Sequence, residues 1–262
     1  MDEILDLGFT FGLLSRPHTR ARETAFVLLN AGAIHRSGPF RLGPRLGRAL
    51  GKRGFAALRF DLPGVGDTLA SAERPIEDLV CDVLDRLEQA TGCRRFVIGG
   101  ICAASDLGWR VALKDARVAG VLMLDGLART GFWFQFARWK RLLGKSPTAW
   151  FAALRRRASP AHSNEPPVPT PEEMRDWPAP GEERGQLDRL LARGVAILSI
   201  FTGSTSYFLH PRQFRAGFGP GAEDPRVDLE FWTASDHTFY SDVQRARLIE
   251  RVGGWMEQRF AD

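Results

Sequence analysis

The sequence is poor in the features that mark membrane, secreted, metal-binding and nucleotide-binding chains. No apolar run approaches the ~20 residues that a membrane-spanning helix requires, so no spanning segment is expected. Cysteine is scarce: Cys81, Cys93 and Cys102 are the three in 262 residues. Their number is odd and they follow no ligand spacing, which argues against a disulfide framework or a zinc site. A reduced, cytoplasmic setting is the expectation. The start, "MDEILDLGFTF", is acidic and has no basic segment ahead of an apolar core, so no secretory signal is expected. No G-x-G-x-x-G opens a helix after the first parallel strand, and no His or Cys pair stands at ligand spacing. Neither a nicotinamide nor a metal is expected, and no cofactor is.

Lysine is also rare, supplying 4 of the 36 basic residues, so scattered arginine carries the net charge of +5. No basic helix interleaved with aromatics points to nucleic acid. The one dense patch, "LRRRAS" (154–159), reads first as a solvated face. Its functional alternative is a docking site for an acidic partner.

What is present is a series of short, nearly all-apolar runs: 25–32, 54–61, 95–100, 118–126, 194–203 and, with some alternation, 226–235. Such runs suit parallel strands buried on both faces. The stretch 3–14 reads as an antiparallel lead-in. Helical patterns lie between the runs. Residues 41–54 put Leu42, Leu46 and Leu50 on one stripe, and 75–92 opens on Pro and acids and closes at Gly92. Residues 241–260 form a closing helix. Alternation of strand and helix gives an α/β fold with a mostly parallel central sheet flanked by helices. The spacing breaks once, where about 70 residues separate two successive strands, far more than one crossover helix needs. We expect a helical cap there, inserted after the sixth strand over 128–186, with 1–127 and 187–262 as the core. Its aromatics, Trp133 among them, read mainly as cap core, with some facing a pocket.

One short motif carries chemistry. "GICAA" (100–104) follows an apolar strand and opens a helix pattern, the context of a nucleophile elbow. Small residues two before and two after the nucleophile keep the tight turn free of collisions, and Gly100 and Ala104 meet that need around Cys102. Ser105 is the rival, but Leu107 two residues on is too bulky. The alternative for Cys102 is a buried, inert thiol. In this architecture the histidine comes last in the chain, between the last strand and the last helix, where "SDHTF" places His237. His18, His162 and His210 fall in expected loops. Two backbone N–H groups must hold an oxyanion, and Ala103 and Ala33, the latter in "NAGA" after the first parallel strand, are the candidates. Gly32 and His35 lie beside that turn as candidate substrate contacts, as do Trp133 and, just past the elbow, Asp106. Asp61 and Asp67 read as loop acceptors.

On the pieces "AGAIHRSGPFR", "RFDLPGVGDT", "GGICAAS", "LDGLART" and "SDHTF", the chain resembles the α/β-hydrolase superfamily. More narrowly, it resembles the cysteine-containing, serine-aminopeptidase-like hydrolases associated with bacterial exosortase systems. The resemblance implies Cys102 as nucleophile and His237 as base. It also exposes a departure: the family's acid is expected in the loop after "AILSIF", where this chain has Thr205. Asp125, at the end of the preceding strand, stands where relatives carry a neutral residue. The acid has therefore moved to Asp125, or Asp125 only caps the following segment, or there is no acid. Asp236 adjoins His237 in sequence, and neighbouring side chains seldom face one another. The activity expected is acyl transfer from a small ester or thioester, including a coenzyme A or acyl carrier protein thioester, to water, an amine or an alcohol. The alternative is a binding or scaffold protein that retains the fold without the chemistry.

Overall fold

The computed structural model describes residues 2–69, 74–143 and 175–260, with the side chain of Leu142 excepted. The six apolar runs all become strands, and the lead-in becomes two. In chain order these are β1 (Asp2–Asp6), β2 (Phe11–Ser15), β3 (Thr24–Leu28), β4 (Ala56–Phe60), β5 (Arg95–Ile101), β6 (Val118–Leu124), β7 (Ala196–Thr202) and β8 (Val227–Trp232). They form one sheet in the order β1-β2-β4-β3-β5-β6-β7-β8. β1 pairs with β2, and β2 with β4, antiparallel; every later pairing is parallel.

The described helices are α1 (Leu42–Lys52), α2 (Ile76–Thr91), α3 (Ala103–Lys114), α4 (Phe132–Leu143), α5 (Glu182–Ala192), α6 (Arg212–Phe218) and α7 (Asp242–Phe260). Two cores lie on opposite faces of the sheet. Val80, Val83, Leu84 and Leu87 of α2 pack with Leu107 and Val111 of α3, Leu187 and Leu190 of α5, and Ala25, Ile98 and Val121 of the sheet. On the other face Leu42, Leu46 and Leu50 of α1 meet Leu248, Val252 and Trp255 of α7 over Phe26, Val97 and Leu122. Both faces are apolar, so both must be covered, and this is why the central strands read as unbroken apolar runs.

Most of the expected cap, 144–174, lies outside the described residues, and with it His162 and the 154–159 arginine patch. The boundary expected at 186/187 falls inside α5, whose Leu187, Leu190 and Leu191 belong to the first core. On the other side of that span, α4 leaves Phe132 and Trp139 exposed.

Candidate active site

At the carboxyl ends of β3, β5, β6 and β8 the sheet turns into loops that converge, the usual place for a site in an open α/β sheet. The turn after β5 is strained. Cys102 adopts φ 58° and ψ −119°, a backbone conformation that costs a non-glycine residue roughly 1–3 kcal/mol and persists only where surroundings enforce it. Its N–H is held by the carbonyl of Leu124 at 2.8 Å. A Cβ on Gly100 would stand 2.9 Å from the Ala104 Cβ, so the small residues at these positions are a steric requirement of the turn.

Ser105, the rival nucleophile, is fully buried. Its Oγ donates to the Gly100 carbonyl at 2.6 Å and accepts from the Leu124 N–H at 3.0 Å. This hydroxyl braces the ends of β5 and β6.

The turn after β6 is strained as well, with Asp125 at φ 49°. Its carboxylate is fully buried and multiply bonded. Oδ1 accepts from the Thr202 N–H at 2.6 Å, and Oδ2 from the Thr202 hydroxyl at 2.7 Å. Asp125 Oδ2 also lies 2.7 Å from Nδ1 of His237, 112 residues later. Thr205, standing where an acid is expected, has its hydroxyl 3.2 Å from that of Thr202. The loop after β7 thus contributes hydroxyl groups instead of a carboxylate. Ser204 Oγ in the same loop accepts the His237 backbone N–H at 2.7 Å. Asp236 is occupied with its own turn, accepting from the N–H groups of Thr238 and Tyr240 at 2.9 Å each.

The charges follow from this geometry. His237 is raised to about 9, first by its bond to Asp125 and then by one to Cys102, against the opposing effect of burial. For Cys102, burial acts upward, but the bond to His237, the positive field of Arg175 and the Ala103 N–H outweigh it, and the thiol is lowered. The other cysteines go the opposite way. Burial raises both, Cys81 to about 11. A lowered thiol beside an imidazole is the condition for a reactive cysteine.

On the other side of the site, the chain after β3 makes a turn in which the Ile34 N–H bonds back to Ala31 at 3.2 Å. Gly32 and Ala33 form its exposed tip, Gly32 with φ 59°. Asp61, fully buried after β4, secures this loop. It accepts the Arg36 N–H at 2.6 Å and the Asn30 amide at 2.9 Å, and it pairs with the Arg36 guanidinium. Arg36 also bonds Asp67 at 2.7 Å. His35 turns its Nε2 toward the same two carboxylates, at 3.4 and 3.5 Å. It also lines an apolar cavity of about 20 Å³ with Ala31, Leu42, Ile101, Leu124 and Leu248.

Two expected substrate contacts are placed elsewhere. The Asp106 side chain is buried beneath the elbow and bonded to Arg175 at 2.6 Å, because α3 turns this position toward the interior. Trp133 stacks on His210, ring centres 5.2 Å apart, and the Arg212 guanidinium carbon lies 4.6 Å from the centre of the Trp133 ring. Arg175 is the main residue that the sequence reading missed. It lies just beyond the Pro-rich stretch 159–173, and nothing about an isolated arginine there signals a buried partner of the elbow.

Strand order, the strained turn after β5 and the histidine loop after β8 together define the α/β-hydrolase fold. The profile of the Alpha/beta hydrolase family matches residues 26–254, most of the chain, and the chain belongs to that family. Similar solved structures include the alpha/beta hydrolase GrgF from Penicillium sp. sh18, at 13% identity and TM-score 0.59 over 100% of this chain and 99% of that one. Proline iminopeptidase from Mycobacterium smegmatis is 15% identical, with TM-score 0.59 and 100% of both chains covered. XC6422 from Xanthomonas campestris, described as an a/b serine hydrolase without lid, is 10% identical at TM-score 0.57, covering 100% of this chain and 95% of that one. At such identities the likeness is one of fold. A search of curated protein sequences finds no match. No described helix is long and apolar enough to cross a membrane.

Proposed function

We propose that this α/β hydrolase transfers acyl groups through a covalent acyl-cysteine, with Cys102 as nucleophile, His237 as base and Asp125 as the acid behind it. The observation that carries the reading is the series itself: Asp125 Oδ2 lies 2.7 Å from His237 Nδ1, and the same histidine side chain is bonded to the Cys102 thiol. Thr205 leaves the acid's place open, and the Asp125 carboxylate just after β6 supports the catalytic reading over a non-catalytic scaffold. His237, raised to about 9, can therefore take the proton of the lowered Cys102 thiol, leaving a thiolate beside an imidazolium.

The thiolate sulfur attacks the substrate carbonyl carbon, and the carbonyl π electrons move to oxygen. The Ala103 and Ala33 N–H groups accept that oxyanion by donating to it. Collapse restores the carbonyl and breaks the bond to the leaving alkoxide or thiolate, which His237 protonates. Neutral His237 then takes a proton from the incoming acceptor as it attacks the acyl-cysteine, and the Cys102 thiolate leaves. Water as acceptor makes a hydrolase; an amine or alcohol makes an acyltransferase. A thiol nucleophile suits a thioester donor, because the acyl-enzyme is itself a thioester of similar energy. Coenzyme A or carrier-protein thioesters are thus the donors to examine, as the finer resemblance to exosortase-associated cysteine hydrolases leaves the acyl group open.

The test is intact mass after incubation with a panel of activated esters and acyl thioesters. We expect an adduct of one acyl group, absent in Cys102→Ala. No adduct across the panel, with Cys102 also inert to iodoacetamide at neutral pH, rejects the reading.

A further inference from the structure

Arg175 contacts both turns of the site and belongs to neither. Its side chain is 8% exposed, and its guanidinium is spent on four acceptors. Nε donates to Asp106 Oδ2 at 2.6 Å, and one terminal nitrogen donates to the Cys102 carbonyl at 3.0 Å. The other donates to the Asp125 carbonyl at 3.0 Å and to the Tyr207 hydroxyl at 2.6 Å. Tyr207 in turn donates to the Asp125 carbonyl at 2.6 Å. The rings of Trp177 and Tyr207 lie 5.0 and 5.7 Å from the guanidinium carbon.

The two carbonyls that share this fork belong to residues with strained backbones, Cys102 at φ 58° and Asp125 at φ 49°. A planar fork of five donors can span two turns and a carboxylate at once, which a lysine ammonium cannot do in fixed geometry. We propose that Arg175 is a positioning residue, one guanidinium that ties the turn carrying the Cys102 thiol to the turn carrying the Asp125 carboxylate. The inference rests on the reading of Cys102 as nucleophile.

Charge gives the tie a second consequence. The groups facing the thiol are His237 from the loop after β8, Arg175, and the Ala103 N–H at the start of α3. Asp106 from α3 and Tyr207 after β7 face Arg175, and Asp125 faces His237. Arg175 is thus a second cation facing the thiol beside the imidazole's, and its charge favours the thiolate.

The experiment measures the rate at which iodoacetamide alkylates the Cys102 peptide from pH 5 to 10, together with turnover, for Arg175→Met and Arg175→Lys. Because Arg175→Met strands the buried Asp106 carboxylate, Arg175→Met/Asp106→Asn is made as well, and the folded fraction of each variant is recorded. In both methionine variants the alkylation profile should move to higher pH, slowing Cys102 about tenfold at neutral pH for each unit of displacement. Arg175→Lys should keep most of the wild-type profile and still lose turnover, since it retains charge without the fork. Unchanged profiles and turnover overturn the inference. So does a loss explained wholly by a lower folded fraction, with the folded protein's Cys102 profile unmoved. If wild type itself forms no acyl adduct, the proposed function fails, while the alkylation profiles still report on Arg175.

Discussion

At the residue scale the question is what a carboxylate does when it reaches the histidine from a different strand. Asp125 is the first cause of the raised His237 pKa and the only carboxylate bonded to that ring among the described residues. Thr205 reaches the carboxylate only through the Thr202 hydroxyl. Asp125→Asn should therefore fall in turnover, and Thr205→Ala should stay within about fivefold of wild type, the worth of one neutral hydrogen bond. A serine triad loses about 10⁴-fold without its acid, and a thiol, which ionises more easily, should lose less, on the order of 10²-fold. In the same variant His237 should titrate below about 9, because its principal raising partner is gone. Steady-state kinetics with an NMR titration of the imidazole checks both. A larger loss in Thr205→Ala than in Asp125→Asn would return the acid's role to the loop after β7.

At the scale of elements, the strands were legible because both sheet faces are covered: "AFVLLNAG" and "VAGVLMLDG" have no polar face to mislead. The elbow was legible because its geometry is a local steric demand, written into Gly100 and Ala104. Asp125 was legible as a candidate acid at a strand end, while its meeting with His237 depends on β7 lying between β6 and β8. Arg175 and the burial of Asp106 were not legible, because each is set by the other, 69 residues away. The contact that seats the elbow helix is likewise tertiary. A Cβ on Gly108 would stand 2.9 Å from the Gly99 Cα and 3.3 Å from the Ile98 carbonyl, so α3 touches β5 backbone to backbone. Gly108→Val should push α3, and the Ala103 N–H with it, away from the sheet, costing about 1–3 kcal/mol as overpacked cores do. Gly185→Ala, at an exposed position of α5 with nothing near its Cβ, should instead gain roughly 0.5–1 kcal/mol. Urea unfolding of the two variants tests the contrast, and a Gly108→Val protein as stable as wild type would mean the helix sits more loosely than this contact implies.

At the scale of the whole molecule, the site exists only when the chain is folded, because its parts come from loops after β5, β6 and β8. The folded His237 therefore holds a proton that the same residue in the unfolded chain releases. An unfolded histidine titrates near 6.5, whereas His237 in place titrates at about 9. A raised pKa of this kind contributes stability in full below about 6.5 and loses it as pH rises through about 9. The imidazole side chain is 41% exposed, so water screens part of the effect. Cys102 titrates together with His237, so both proteins are made in a Cys102→Ala background, where comparison with His237→Gln removes the remaining groups. In that background the difference in unfolding free energy, His237 intact minus His237→Gln, should be greatest near pH 6.5 and shrink as pH rises, because Asp125 still raises the imidazole. The wild-type protein should lose acyl-transfer activity over the upper part of that range, as the imidazolium that protonates the leaving group is titrated away. Urea titrations at four pH values measure the stability difference. If it stays constant or grows with pH, His237 does not hold its extra proton in the folded molecule.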